Sequence, residues 1–121
     1  MACFSKVLGK VDTEKQMAIP TDFVEHLPYH EGGCTIYFPV FDASGHEWRF
    51  GYYIRSDVNS RYAKPVFQGD WHQFVSTKNL VPGDRIIFRV ERTAAGDPRY
   101  TIAAQKPNKL FGQVIGWGKE F

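Results

Sequence analysis

The sequence predicts a single, mainly β domain. Three tryptophans, six tyrosines and ten phenylalanines share a chain of 121 residues with eleven glycines and seven prolines, a mixture that favours short strands joined by turns over a helical bundle. The length leaves no room for a second domain, yet suffices to bury about two-thirds of the unfolded surface around one core. Runs rich in β-branched and aromatic residues, punctuated by Gly, Pro, Asn and Asp, supply the third observation.

The elements follow in order. Residues 4–8 form a first strand, and Gly9-Lys10-Val11-Asp12-Thr13-Glu14-Lys15-Gln16 is a polar connection expected at the surface. The apolar residues 17–19 make a short strand that Pro20 closes. Thr21 or Asp22 then caps a short helix with Phe23, Val24 and Leu27 on its apolar side, ended by Pro28. Residues 34–41 and 47–54 are two β-rich runs joined by the turn Asp42-Ala43-Ser44-Gly45, and they should pair as a hairpin. A polar loop, Arg55-Ser56-Asp57-Val58-Asn59-Ser60-Arg61, leads to a fifth strand over 62–67. Trp71, Phe74, Val75 and Leu80 can share one helical face, and Pro82-Gly83-Asp84 turns the chain into a strand over 84–91. Ala95-Gly96-Asp97-Pro98 turns it again into 99–104. Leu110, Phe111, Val114, Ile115 and Trp117 make the tail over 107–121 too apolar for a disordered segment, so it is expected to fold back on the domain.

Several function classes recede. No apolar run reaches the ~20 residues of a membrane-spanning helix, and the first residues lack the apolar core of a secretory signal, which favours an intracellular protein. Cys3 and Cys34 read as reduced thiols, since a lone pair in so apolar a chain seldom forms a bridge. Nucleophile elbows, phosphate-cradling glycine loops and zinc-protease helices are all missing, so no enzyme is expected. The carboxylates Asp12, Glu14, Glu25 and Glu31 read as surface charges. His26, His30 and Cys34 recur at metal-ligand spacing, but Pro28 and Gly32-Gly33 keep them off one helical face and no fourth ligand is near. Neither a metal nor another cofactor is expected.

Charge is uneven. The net charge is +2, while residues 17–47 carry five acidic residues and no Lys or Arg, so the remainder of the chain holds +7. A basic face opposite an acidic back would steer a polyanion to one side.

The stretch Trp71 to Phe88, WHQFVSTKNLVPGDRIIF, carries the pattern W-x-x-F-V-x-x-K-N-L-x-x-G-D-x-x-x-F, which resembles the plant B3 DNA-binding domain. Upstream, Glu47-Trp48-Arg49-Phe50 is similar to that family's central strand, and Met17-Ala18-Ile19-Pro20 leading into Asp22-Phe23-Val24 to its strand-then-helix opening. The likeness runs from Phe4 to Lys106. It implies a seven-stranded open β-barrel with two short α-helices, followed by an extension over 107–121. It also implies sequence-specific binding of double-stranded DNA by a plant nuclear transcription regulator, with segments 9–16 and 55–64 as two arms gripping the major groove.

By that resemblance Lys10, Lys15 and Gln16 belong to the first arm, Arg55, Asn59, Ser60, Arg61 and Lys64 to the second, and His72 contacts phosphate at the start of a helix. The chemistry fits the residue types. An Arg fork matches guanine O6 and N7, Asn or Gln matches adenine, and lysines and hydroxyls suit phosphate. Two alternatives of other kinds remain: a barrel that binds oligosaccharide or single strands by stacking on Tyr52, Tyr53 and Tyr62, and a protein-interaction domain of the same fold without DNA binding.

Overall fold

The computed structural model describes residues 2–28, 34–54 and 65–121. Seven strands build one curled sheet: β1 (Ala2–Val7), β2 (Met17–Ala18), β3 (Thr35–Phe41), β4 (Glu47–Tyr53), β5 (Val66–Gly69), β6 (Arg85–Arg92) and β7 (Pro98–Gln105). Their order across the sheet is β1-β6-β7-β3-β4-β5-β2, an open half-barrel with β1 and β2 as its two edges. Every pairing is antiparallel except the short parallel contact of Val40 and Phe41 with Tyr100 and Thr101. β3 and β4 pair as the expected hairpin, Thr35 opposite Tyr53 through Phe41 opposite Glu47.

Two α-helices, α1 (Lys10–Glu14) and α2 (Trp71–Thr77), close one end of this barrel. The helix expected after Pro20 is a 3-10 helix, Thr21–His26, whose i→i+3 bond from the Leu27 N–H to the Val24 carbonyl ends it before Pro28. The connection over 9–16, expected as an exposed polar loop, instead contains α1, and Asp12 within it is buried. A further hairpin, β8 (Pro107–Leu110) with β9 (Gln113–Trp117), stands apart from the main sheet.

The core is aromatic because the strands alternate. On β4, Trp48, Phe50 and Tyr52 turn inward, and on β6 Ile86, Phe88 and Val90 do the same. Met17, Phe67, Trp71 and Phe74 complete a layer with no accessible surface. Phe50 meets Trp71 and Phe74 edge-on, with centroids 6.0 and 5.9 Å apart, and Phe67 lies 5.1 Å from Phe88. Such tilted pairs add about 0.5–1.5 kcal/mol to what area burial contributes.

The open seam of the barrel is bridged by a side chain. Lys6, on edge strand β1, donates from Nζ to the Ala18 carbonyl on edge strand β2 at 2.9 Å. Phe4 reinforces the same seam, its ring 4.7 Å from Phe23 and 5.6 Å from Phe88. Between β5 and α2 the chain turns at Gly69 with φ +68, where a Cβ would stand 2.8 Å from both the Arg49 carbonyl and the Gly51 nitrogen of β4. Only glycine fits that approach.

Candidate nucleic-acid interface

The first candidate arm is anchored from beneath. Asp12 accepts the Gly9 N–H at 2.7 Å on Oδ2 and Lys6 Nζ at 2.9 Å on Oδ1, so its carboxylate ties α1 to β1. Its carbonyl accepts Trp71 Nε1–H at 2.7 Å, which ties α1 to the first turn of α2. The Asp12 charge is thereby spent inside the domain, paired with Lys6. Lys10, Lys15 and Gln16 are left exposed around this anchor.

Trp71 points inward and its neighbour His72 outward, so the imidazole is exposed one residue from the indole that holds α1. The structure therefore gathers Lys10, Lys15, Gln16 and His72 at one end of the barrel. Short α2 owes its start to Asp70, whose N–H donates to the Arg49 carbonyl and whose Oδ2 accepts the Arg49 N–H, both at 2.9 Å. These bonds fix the helix against β4.

Arg55, Asn59, Ser60, Arg61 and Lys64 lie outside the described residues, but the roots of their segment are fixed. The chain leaves β4 after Tyr53 and returns at Pro65, and Tyr53 is paired with Val66 across the ladder. Pro65 is buried, and its carbonyl accepts the Ile19 N–H at 2.8 Å. On the other side β2 pairs Met17 with Phe67 and Ala18 with Val66. From Gln16, at the inner end of the first arm, to Ile19, beside the root of the second, is three residues of extended chain, about 10 Å. Ala18, Val66 and Gln68 face outward between these two ends, and Thr35 Oγ1 donates to Gln68 Oε1 at 3.0 Å.

The anchoring residues were not legible as such in the sequence. Asp12 reads as one surface carboxylate among several because its partner Trp71 lies 59 residues away. Its burial alongside Lys6 corrects that reading. Asp22 lines a hollow with Ala2, Cys3, Phe4 and His26 at the start of β1. Among the aromatics considered for stacking, Tyr52 is fully buried, and burial pushes its phenol up to about 12. It cannot stack on a ligand. Tyr53 is half-buried and Tyr62 lies outside the described residues.

Beside α2, Asp42 organises the β3–β4 turn. Its Oδ1 accepts the Ser44 N–H at 2.9 Å, Ser44 Oγ at 2.6 Å and the His46 N–H at 2.9 Å, and its Oδ2 accepts Trp48 Nε1 at 2.9 Å with Lys78 Nζ at 3.1 Å. Burial alone would raise this carboxyl, but the donors from Ser44, Trp48, Lys78 and His46 outweigh it and hold the group well below the usual carboxylate range. Asp42, Trp48, Asp70 and Lys78 line a surface hollow of about 560 Å³ beside α2. Every polar group named here already has its partner within the domain.

Among the described residues no three His, Cys, Asp or Glu side chains are placed to hold a metal ion, and no helix is long and apolar enough to cross a membrane. His30 lies outside the described residues. Cys3 and Cys34 both sit at the surface.

Comparison with known proteins places these features. The profile of the B3 DNA binding domain matches residues 4–106. The Arabidopsis FUS3-DNA complex is similar in structure at a TM-score of 0.70 and 28% identity, covering 85% of this chain and 95% of that one. A hypothetical Arabidopsis thaliana protein shares the fold at a TM-score of 0.60 and 21% identity, with 87% and 90% covered. No curated protein sequence matches.

Proposed function

Because the chain belongs to the B3 DNA-binding domain family, we propose that it reads duplex DNA sequence-specifically as part of a plant transcription regulator, with segments 9–16 and 55–64 entering one major groove. The β2–β5 ladder is the observation that carries this reading. It holds the inner ends of the two segments about 10 Å apart, comparable with the ~12 Å width of the B-DNA major groove. A structural relative with 28% identity was itself solved with DNA.

Roles follow from chemistry. Arg55 and Arg61 present planar forks for guanine edges, and Asn59 and Gln16 present amides for adenine. Lys10, Lys15, Ser60, Lys64 and His72 meet phosphate, which sets register without reading sequence. No reaction and no cofactor are needed, and the work of such a domain is nuclear. The stacking alternative is disfavoured by Tyr52, whose ring belongs to the core.

Fluorescence anisotropy on a cognate and a scrambled duplex across a salt series tests the assignment of roles. With about five phosphates neutralised, log K falls against log salt with a slope near −4.5. Lys15→Ala weakens binding to both duplexes alike and makes the slope shallower by about 1. Arg61→Ala costs about 1–3 kcal/mol on the cognate duplex and far less on the scrambled one. Equal losses on both duplexes for Arg61→Ala would remove it from base readout.

A further inference from the structure

Segment 9–16 leaves edge strand β1 and returns as β2, the opposite edge of the sheet, and these two edges share no strand ladder. The backbone bonds that would hold its two ends in register are therefore missing at this seam. One side chain supplies the link at three points. Lys6 is the last inward-facing residue of β1, and its Nζ donates to Asp12 Oδ1 in the middle of the segment and to the Ala18 carbonyl just past its end, both at 2.9 Å. Entry, middle and exit converge on a single ammonium. With side chains only 27% and 12% exposed, Lys6 and Asp12 are sheltered from the screening that weakens surface ion pairs.

The tie continues to the second segment. Ala18 is paired with Val66 of β5, and the next residue, Ile19, donates its N–H to the Pro65 carbonyl, directly after segment 55–64 ends. Ala18 and Ile19 are thus the whole path from the Lys6 ammonium to the root of the second segment. Loss of that ammonium would leave α1 free to shift against β1, and β1 against β2, so the distance between the two segments would no longer be held from both sides.

We infer that Lys6 is a positioning residue for base readout, one that sets the first segment in register with the second and touches no DNA itself. The inference rests on the reading of segments 9–16 and 55–64 as the two arms. Lysine suits the task, because an ammonium offers three donors on a flexible stem and can meet a carboxylate and a carbonyl that approach from different directions. Reading base edges requires placement within about 0.5 Å, whereas attraction to phosphate extends over a Debye length of about 8 Å and tolerates a shifted arm. Loss of the tie should therefore remove discrimination and spare charge-driven binding. A lysine that contacts phosphate behaves differently, since its loss weakens binding to every sequence and flattens the salt dependence.

Lys6→Met alone would strand the sheltered Asp12 carboxylate and confound folding with positioning. The variant that tests the role combines Lys6→Met with Asp12→Asn, which strands no charge and leaves the net charge of +2 unchanged. The new amide can still accept the Gly9 N–H, and the backbone carbonyl at position 12 still receives the Trp71 indole N–H, so α1 keeps its other anchors. Fluorescence anisotropy compares the duplex that the parent enriches from a randomised pool with a scrambled duplex, at a temperature where a thermal melt shows the variant folded. The ratio of the two affinities is expected to fall at least about tenfold, while affinity for the scrambled duplex stays within about twofold and the salt slope is unchanged. A ratio equal to that of the parent, or equal losses on both duplexes, would overturn the positioning role. A parent without preference for its own enriched duplex would instead remove the two-arm reading, and the proposal with it.

Discussion

Trp71→Ala is expected to lose about 3–5 kcal/mol of folding stability, the cost of emptying a fully buried aromatic site. The indole sits among Phe50, Phe67 and Phe74 and has no accessible surface. Its second task is separable. Trp71→Phe keeps most of the packing but removes the N–H that holds the Asp12 carbonyl at 2.7 Å, leaving a carbonyl at the base of the first arm without that donor. The cost of that change alone is about 1–3 kcal/mol. Urea melts of the two variants give the stabilities, and anisotropy gives DNA affinity at a temperature where Trp71→Phe stays folded. Affinity should fall for Trp71→Phe because α1, which carries Lys10 and leads into Lys15 and Gln16, loses this anchor. A Trp71→Phe protein as stable as the parent, with unchanged affinity, would show that this bond does not position the arm.

Asp42→Ala should be comparably damaging, for an electrostatic reason. Removing the carboxylate strands the buried Trp48 indole N–H and the Lys78 ammonium, whose side chain is 15% exposed. Breaking a buried pair from one side costs about 3–5 kcal/mol. The acid limb of the stability profile carries a more specific signature. The folded protein holds Asp42 well below its ordinary value, so near pH 4 and below the unfolded chain binds the proton more readily than the folded one. Stability contributed by Asp42 is complete above the unfolded value of about 3.9 and is lost as pH falls towards the folded one. Asp42→Asn, which cannot ionise, should lack that part of the acid loss. Superimposable acid limbs for parent and Asp42→Asn would contradict the assignment.

Much of the architecture could be read from local pattern because local forces decide it. Trp71, Phe74, Val75 and Leu80 share the buried face of α2 and its exit, and the turn at Asp42-Ala43-Ser44-Gly45 joins β3 to β4 in the register that alternation requires. The 3-10 character of Thr21–His26 was not legible. Pro20 and Pro28 bracket too few residues for the i→i+4 ladder to become established, and composition does not distinguish the two helices there. Asp12 was missed for a different reason. Burying a carboxylate depends on Lys6 across the sheet edge and Trp71 far along the chain, and no local window contains both. The hairpin after Lys106 escaped notice because its turn places Phe111 where pattern would ask for asparagine.

At the candidate interface, Lys10, Lys15, Gln16 and His72 could be named from sequence and are exposed at one end of the barrel. What sequence did not provide was the scaffold under them: Lys6 closing the barrel seam, Asp12 gathering three donors, and the Ile19–Pro65 bond at the root of the second segment. Rigid support of this kind determines whether charged side chains on short segments can read bases or merely attract a polyanion.

Selection of the parent protein against a randomised duplex pool tests sequence-specific readout most directly. A short enriched motif, bound with an affinity that survives physiological salt and is weakened by mismatches at about 1–3 kcal/mol each, is the result this account predicts. No enrichment, with weak binding that vanishes as salt rises, would contradict it and leave a B3 fold that meets DNA only through charge.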